Sequence, residues 1–159
     1  MNARTAEASV VRAGEGTTVR WGPDGRIRIL AAAAATDGSF SVVEALEPPG
    51  TTAPLHVHHG EAEAFYVVDG EIELTCGGRT LTASTGDFVY APKDVPHTYT
   101  VVGEKPARVL LMFSRPGFES FFVEGGSRPD EPPSGPPDPA DLQRLVAKYD
   151  LELLESFGH

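Results

Sequence analysis

The sequence predicts an all-β fold: a sandwich or barrel of short antiparallel strands with a C-terminal helical arm. Three observations predict it. Between about Thr17 and Ser114, short runs rich in β-branched and aromatic residues alternate with Gly, Pro and Asp turns. Asp69-Gly70 and Gly77-Gly78 each separate two alternating runs, as tight hairpins do. After Ser114 the alternation stops, and an apolar repeat of helical period follows a Pro-rich stretch.

Taken in order, "TTVRW" and "RIRILAAAAA" read as two strands about the turn "GPDG". The alanine run has helical propensity, but its β-branched neighbours favour the end of a strand. "SFSVVEALE" is a third strand and "PPGTTAP" a loop. "EAFYVV", "EIELTC" and "RTLTA" follow, separated by the Asp-Gly and Gly-Gly pairs. "GDFVYAP", "HTYTVV" and "ARVLLMFS" complete eight or nine strands. Residues 1–16 form an N-terminal segment, 17–115 the barrel, and 116–159 a C-terminal extension. In that extension Phe118, Phe121 and Phe122 suit one or two helical turns packed on the barrel. "SRPDEPPSGPPDP" is a loop or extended linker. "DPADLQRLVAKYD" is a helix: Asp138 caps it, Pro139 suits its first turn, and Leu142, Leu145, Val146 and Tyr149 form one stripe. "LELLESF" adds a short extended piece, so the arm packs on the barrel or on a partner subunit.

The bulk composition removes several function classes. The chain has 159 residues and a formal net charge of -10, which repels nucleic-acid backbones. Cys76 is the single cysteine, so no intrachain disulfide forms. The first sixteen residues lack the apolar run of a signal peptide, and the run Ile29 to Ala35 is too short to span a bilayer. The expected compartment is the cytoplasm, with neither nucleic acid nor membrane as partner.

Three of the five histidines fall in "HVHHGEAE", residues 56–63. Alternation puts His56 and His58 on one strand face and His59 on the other. Two imidazoles on an inward face would be unpaired polar groups unless something bound them. A divalent metal does so, with Glu63 supplying an oxygen and His97 a third nitrogen. Such a set suits Fe(II), Ni(II), Mn(II), Cu(II) or Zn(II). The pair His56-x-His58 alone is equally what a surface cluster shows. The wider spacing distinguishes the two.

Gly50, five residues, His56-x-His58, four residues, Glu63, six residues and Gly70 resemble the first motif of the cupin superfamily. Gly86, five residues, Pro92 and then His97 resemble the second. The resemblance implies a cupin jelly-roll β-barrel with one metal held by His56, His58, Glu63 and His97. Asp94 stands where the second motif carries Gly, and it tolerates the left-handed turn required there. Val101 stands where the motif ends in Asn, which makes the pocket more apolar. The run from Gly86 to Phe122, the Pro-rich segment and the helix ending in "KYDLELL" resemble the small single cupins grouped with quercetin 2,3-dioxygenases. That resemblance implies a metal-dependent dioxygenase acting on a flavonol or another enolizable aromatic or diketone. The alternatives are a metal-dependent isomerase or cyclase, and a non-enzymatic small-molecule-binding cupin.

The remaining candidates follow from parity. Glu63 is the catalytic candidate, as ligand or general base. Tyr99 shares the inward parity of His97 and is the best polar substrate contact, while Phe65, Tyr66, Tyr90 and Trp21 read as packing residues. A hairpin turned at Asp69-Gly70 would set Glu63 opposite Cys76 and bring the thiol into the pocket with Phe65, Tyr99 and Val101. Glu61 shares the parity of Glu63, which allows a second carboxylate near the metal, but it reads first as a solvated rim residue, with His59 a surface histidine and His159 a terminal one. "ARVLLMFS" is apolar at both parities, so its second face needs cover, and a homodimer is expected.

Overall fold

A computed structural model of the chain describes residues 7–132 and 138–154. The expectations for residues 1–6, for the centre of the Pro-rich run and for His159 lie outside the described residues. In chain order the strands are β1 (Thr18–Trp21), β2 (Gly25–Ala31), β3 (Ser41–Glu47), β4 (His56–His58), β5 (Glu63–Asp69) and β6 (Glu71–Cys76). They continue as β7 (Arg79–Ser84), β8 (Phe88–Ala91), β9 (His97–Val101) and β10 (Ala107–Phe113), and after two helices end with β11 (Leu151–Leu153).

The strands form two facing antiparallel sheets, in orders β1-β2-β3-β10-β5-β8 and β11-β4-β9-β6-β7. This is an all-β jelly-roll architecture, but the hydrogen bonding does not close into a barrel: each sheet keeps its own edges. Alternate residues point into the space between the sheets. Val43, Ala45, Phe65, Val67, Val109, Leu111 and Phe113 line it from one side, and Ile72, Leu74, Tyr99 and Val101 from the other.

Two sequence expectations are corrected here. The alanine run does not prolong β2, which ends at Ala31; Ala33–Ala35 form a 3-10 turn. The Glu119 carboxylate accepts the Ala33 N–H at 2.8 Å, so a tertiary contact fixes what helical propensity already allowed. Asp69-Gly70 is not a hairpin turn, because β5 and β6 belong to different sheets. It is a corner, where Gly70 at φ +88° packs so close that a Cβ would lie 2.8 Å from the Ala107 Cα. Gly77-Gly78 is the true hairpin, with φ of +56° and +79° and Cys76 opposite Arg79.

Helix α1 (Glu119–Gly125) closes one end of the sandwich. Phe118, Phe121 and Phe122 are buried, and the Phe118 and Phe113 ring centroids lie 4.5 Å apart. Trp21 packs at a tilt 5.4 Å from Phe121 and edge-on 5.0 Å from Phe122, so it is a packing residue, as expected. Helix α2 (Pro139–Lys148) starts at Asp138, whose Oδ1 accepts from the N–H groups of Ala140 and Asp141. Its Leu145, Val146 and Tyr149 pack on the core of this same chain. Gly125 leaves room for this contact: a Cβ there would fall 2.7 Å from the Leu145 Cδ2, and that side chain would have to shift. Strand β11 then pairs with β4 (Leu151 opposite His58, Leu153 opposite His56) and so covers the free edge of the strand that carries two of the histidines. No described helix is long and apolar enough to cross a membrane.

Candidate metal centre

His56 and His58 point inward from β4, and His97 lies directly opposite His56 on β9. Glu63 faces them from the first position of β5 in the other sheet, in register with Phe113 and Ala91. The Glu63 Oε2 is 3.0 Å from the His58 Nε2, 3.0 Å from the His97 Nε2 and 3.9 Å from the His56 Nε2. One donor atom from each of the four residues falls within 4.8 Å of all the others, and all four side chains are buried.

The outer nitrogens of the three rings settle whether these donors fit a cation. His56 Nδ1–H donates to the Pro54 carbonyl at 2.7 Å, and His97 Nδ1–H to the Val95 carbonyl at 3.0 Å. His58 Nδ1–H donates to Glu61 Oε1 at 2.7 Å. Carbonyl and carboxylate oxygens only accept, so Nδ1 carries the proton and the Nε2 lone pair points inward. Three inward lone pairs and an anionic oxygen are mutually repulsive in a buried space unless a cation or protons sit among them. The set of three imidazoles and one carboxylate suits a divalent metal.

Protons on the inward nitrogens are the alternative to a cation. Burial works against charge on Glu63, but the hydrogen bonds that those protons let His56, His58 and His97 donate outweigh it and hold the carboxyl well below its usual range. Burial works against charge on His58 too, yet Glu61 and Glu63 hold its pKa up at about 9. Glu61 is therefore no rim residue. It is 2% exposed and backs His58, because the turn after β4 folds it under the ring instead of continuing the strand. Its sequence signal was the spacing His58-x-x-Glu61 beside a ligand.

His59, just past the strand end, is exposed and holds Asp94 at 2.8 Å and Glu152 at 2.7 Å. Asp94 sits at φ +64°, the left-handed turn expected for it, and its N–H donates to the His58 carbonyl. The His59 N–H donates to the Asp150 carbonyl. This clasp ties β4, the turn before β9 and the C-terminal strand together.

The pocket candidates take different places. Phe65 is buried with its ring centroid 6.2 Å from that of His97. Tyr99 is buried and donates its O–H to both oxygens of Glu47, at 3.0 and 2.9 Å. Val101 is buried opposite Ile72, farther along the strand from His97. Cys76 lies opposite His97 on β6, so it shares that inward face, although its expected partner Glu63 is on another sheet. Cys76, Leu81 and Val89 are inward yet only partly buried, which places the more open side of the sandwich at edge strands β7 and β8. Tyr66 and Tyr90, read as core from the sequence, are exposed on the outer face, because β5 and β8 turn their even-numbered residues outward. Sequence reasoning missed Glu47. It is buried at the inward end of β3, and burial pushes its pKa up to about 7 although the Tyr99 hydrogen bond pulls it down.

Residues 43–113 match the protein family described as Cupin domain. The chain is 33% identical over 130 residues to the quercetin 2,3-dioxygenase of Bacillus subtilis, covering 77% of this chain and 38% of that protein. The chain thus spans well under half the length of that relative. A structure of KdgF from a Halomonas species superposes with a TM-score of 0.62 at 22% identity, covering 70% of this chain and 98% of that one. A predicted oxalate decarboxylase from Thermotoga maritima superposes equally well, at 0.62 and 23% identity over 67% of this chain and 99% of that one.

Proposed function

The chain belongs to the cupin superfamily, and from that premise we propose that it is a metal-dependent dioxygenase acting on a flavonol or another enolizable aromatic or diketone. The observation that carries this reading is the likeness to a quercetin 2,3-dioxygenase, which extends over 77% of this chain and so well beyond the matched domain. The buried three-histidine, one-glutamate set lends it support.

His56, His58 and His97, each locked with Nε2 inward, and the ionised Glu63 would hold the metal. A bound divalent iron, nickel, manganese or copper supplies a Lewis acid for an enolate oxygen and the redox capacity that oxygenation needs. Glu63, ionised among the three histidines, serves as a ligand or, released from the metal, as the carboxylate placed to accept the substrate's hydroxyl proton. Phe65, Phe113 and Phe118, buried beside His58 and His97, would give an aromatic substrate dry apolar surroundings. Tyr99, its hydroxyl committed to Glu47, positions the inner wall. A sugar would leave its hydroxyls unpaired against such surfaces.

The test is an oxygen electrode with metal-loaded protein and a panel of flavonols, β-diketones and catechols, iron, nickel, manganese and copper each being tried. Oxygen uptake above the His56→Ala background is expected, with carbon monoxide released from a flavonol. No uptake by any member of the panel would remove the dioxygenase reading. Turnover under nitrogen would replace it with an isomerase or cyclase, and binding without turnover with a ligand-binding cupin.

A further inference from the structure

We propose that Arg79 binds substrate and selects for a carboxylate on the enolizable aromatic compound. The inference rests on the reading of the four-donor set as a substrate site. Register carries it. Across the five-stranded sheet one row runs Leu153, His56, His97, Cys76 and Arg79, on β11, β4, β9, β6 and β7. Residues directly opposite on adjacent strands point the same way, so Arg79 shares the inward face of His56 and His97. It stands two strand spacings from His97, roughly 10 Å between backbones, with Cys76 between them. Exposure rises along this row: His97 is buried, Cys76 partly buried and Arg79 exposed. The row thus leads from the four donors to the more open side of the sandwich, where Leu81 and Val89 are the apolar neighbours.

Arg79 is free to take a ligand. Among the described strands it is the one lysine or arginine of inward parity, since Arg20, Arg26, Arg28 and Arg108 all alternate outward. Glu44 holds Arg28 and Arg108, and the carbonyls of Pro23 and Pro129 hold Arg20. The Arg79 side chain makes no ion pair or hydrogen bond with a described residue. In the facing sheet the row through Glu63 ends on β8 at Ala91, which brings no charge to that edge. The Gly77 N–H donates to the Pro96 carbonyl at 3.1 Å, which fastens the hairpin carrying Arg79 to the chain just before His97.

Chemistry then names the ligand. The guanidinium fork matches a planar carboxylate with two parallel hydrogen bonds, and it stays charged at every working pH. A phenol, with a pKa of about 10, is neutral near pH 7 and makes the weaker bond. A chain of net charge -10 repels anions over most of its surface, so one free arginine at the opening gives an acidic substrate its local attraction. The enolizable oxygens lie at the four-donor set, the ring lies along Cys76, Leu81 and Val89, and the carboxylate reaches Arg79.

The experiment is an anaerobic titration of the copper-loaded full chain, read by its visible spectrum. The two ligands are benzoylacetone and the same diketone with a carboxylate on the far side of its ring. Wild type is expected to bind the carboxylated ligand about tenfold more tightly. Arg79→Gln is expected to bring the two affinities together, and Arg79→Lys, a charge without the fork, to keep part of the preference. Arg26→Gln makes the same change in net charge on the outer face of the other sheet and is expected to keep the full preference. No preference in wild type, a preference that survives Arg79→Gln, or an equal loss in Arg26→Gln overturns the proposal. Failure of the functional reading looks different: neither ligand then shifts the spectrum of protein that holds copper, and the proposal falls with it. A preference that Arg79→Gln abolishes, in a protein that draws no oxygen at the electrode, upholds Arg79 and removes only the dioxygenase.

Discussion

Glu61 accepts the Nδ1–H of His58 at 2.7 Å, and both side chains are buried. The carboxylate fixes the tautomer that leaves Nε2 free and raises the basicity of the ring. Glu61→Gln keeps the shape and an accepting oxygen but removes the charge. It is expected to lower metal affinity about tenfold, and Glu61→Ala toward a hundredfold, by competition with a chromogenic chelator. Wild-type affinity in both would mean that the backbone alone orients His58.

His58 and His59 are neighbours with opposite fates. His58→Ala removes one of four converging donors and is expected to abolish stoichiometric metal binding. His59 is exposed and, among the described residues, its side chain pairs with Asp94 and Glu152, so His59→Ala is expected to change metal content little. Elemental analysis of both untagged proteins decides the matter. Equal losses would contradict the inward–outward division.

Strand β4 is three residues long, and its ladder to β9 is a single pair, His56 opposite His97. Strand β11 supplies the rest. The His59 N–H donates to the Asp150 carbonyl and the Leu154 N–H to the Leu55 carbonyl. Alternation then makes Glu152 and Val57 the hydrogen-bonded pair between them. Glu152→Pro removes that donor and should loosen both histidines, with at least a tenfold loss of metal affinity. Glu152→Gln, which removes only an exposed charge, should leave affinity nearly unchanged. If the two variants behave alike, the arm does not support the site through its backbone.

The converging set was legible in the sequence because spacing and inward parity carry it. His56, His58, Glu63 and His97 meet within 4.8 Å. Pairing itself was not legible at Gly70. A left-handed glycine serves a hairpin and a corner equally well, and only the approach of Pro106 and Ala107 decides between them. Glu61 shares the parity of Glu63, but it lies in a loop, where parity does not fix direction. Glu47 was hidden differently. In "SVVEALE" both parities carry apolar residues, so the buried carboxylate emerges only once Val43 and Ala45 are known to face the core. Strand β11 is too short for any pattern to name its partner.

Glu47 gives a pH signature. Burial, offset in part by the Tyr99 hydroxyl and reinforced by the Glu63 charge, raises its pKa from 4.5 to about 7. Between those values the folded protein keeps a proton that the unfolded chain has released. The unfolded state then binds fewer protons, so stability falls as pH rises. The contribution is fully present below pH 4.5 and is lost as pH passes about 7. Over that window it amounts to about 3 kcal/mol at most. Glu47→Gln should flatten this part of the profile and be the more stable form at pH 8. Urea unfolding of both proteins across the range, compared as a difference, removes the titrations they share. Parallel curves would show that Glu47 is already ionised and solvated.

Cys76 tests where a ligand sits. It lies opposite His97 on the inward face, at the partly exposed end of β6, and burial pushes its thiol above the ordinary value. Residues directly opposite on adjacent strands point the same way, so a molecule bound beside His97 on that side covers the sulfur. Metal-loaded protein with acetylacetone, a chelating β-diketone, should therefore alkylate at Cys76 several-fold more slowly than metal-loaded protein alone, compared at one alkaline pH. Cys76→Ser should keep its metal, because the thiol is not among the converging donors. If acetylacetone binds, seen by the spectrum of the copper-loaded protein, and leaves the alkylation rate unchanged, the ligand enters from another side and Cys76 is a packing residue. If it slows the rate, Leu81 and Val89 become the next positions at which to alter substrate size, since they flank the same partly exposed side.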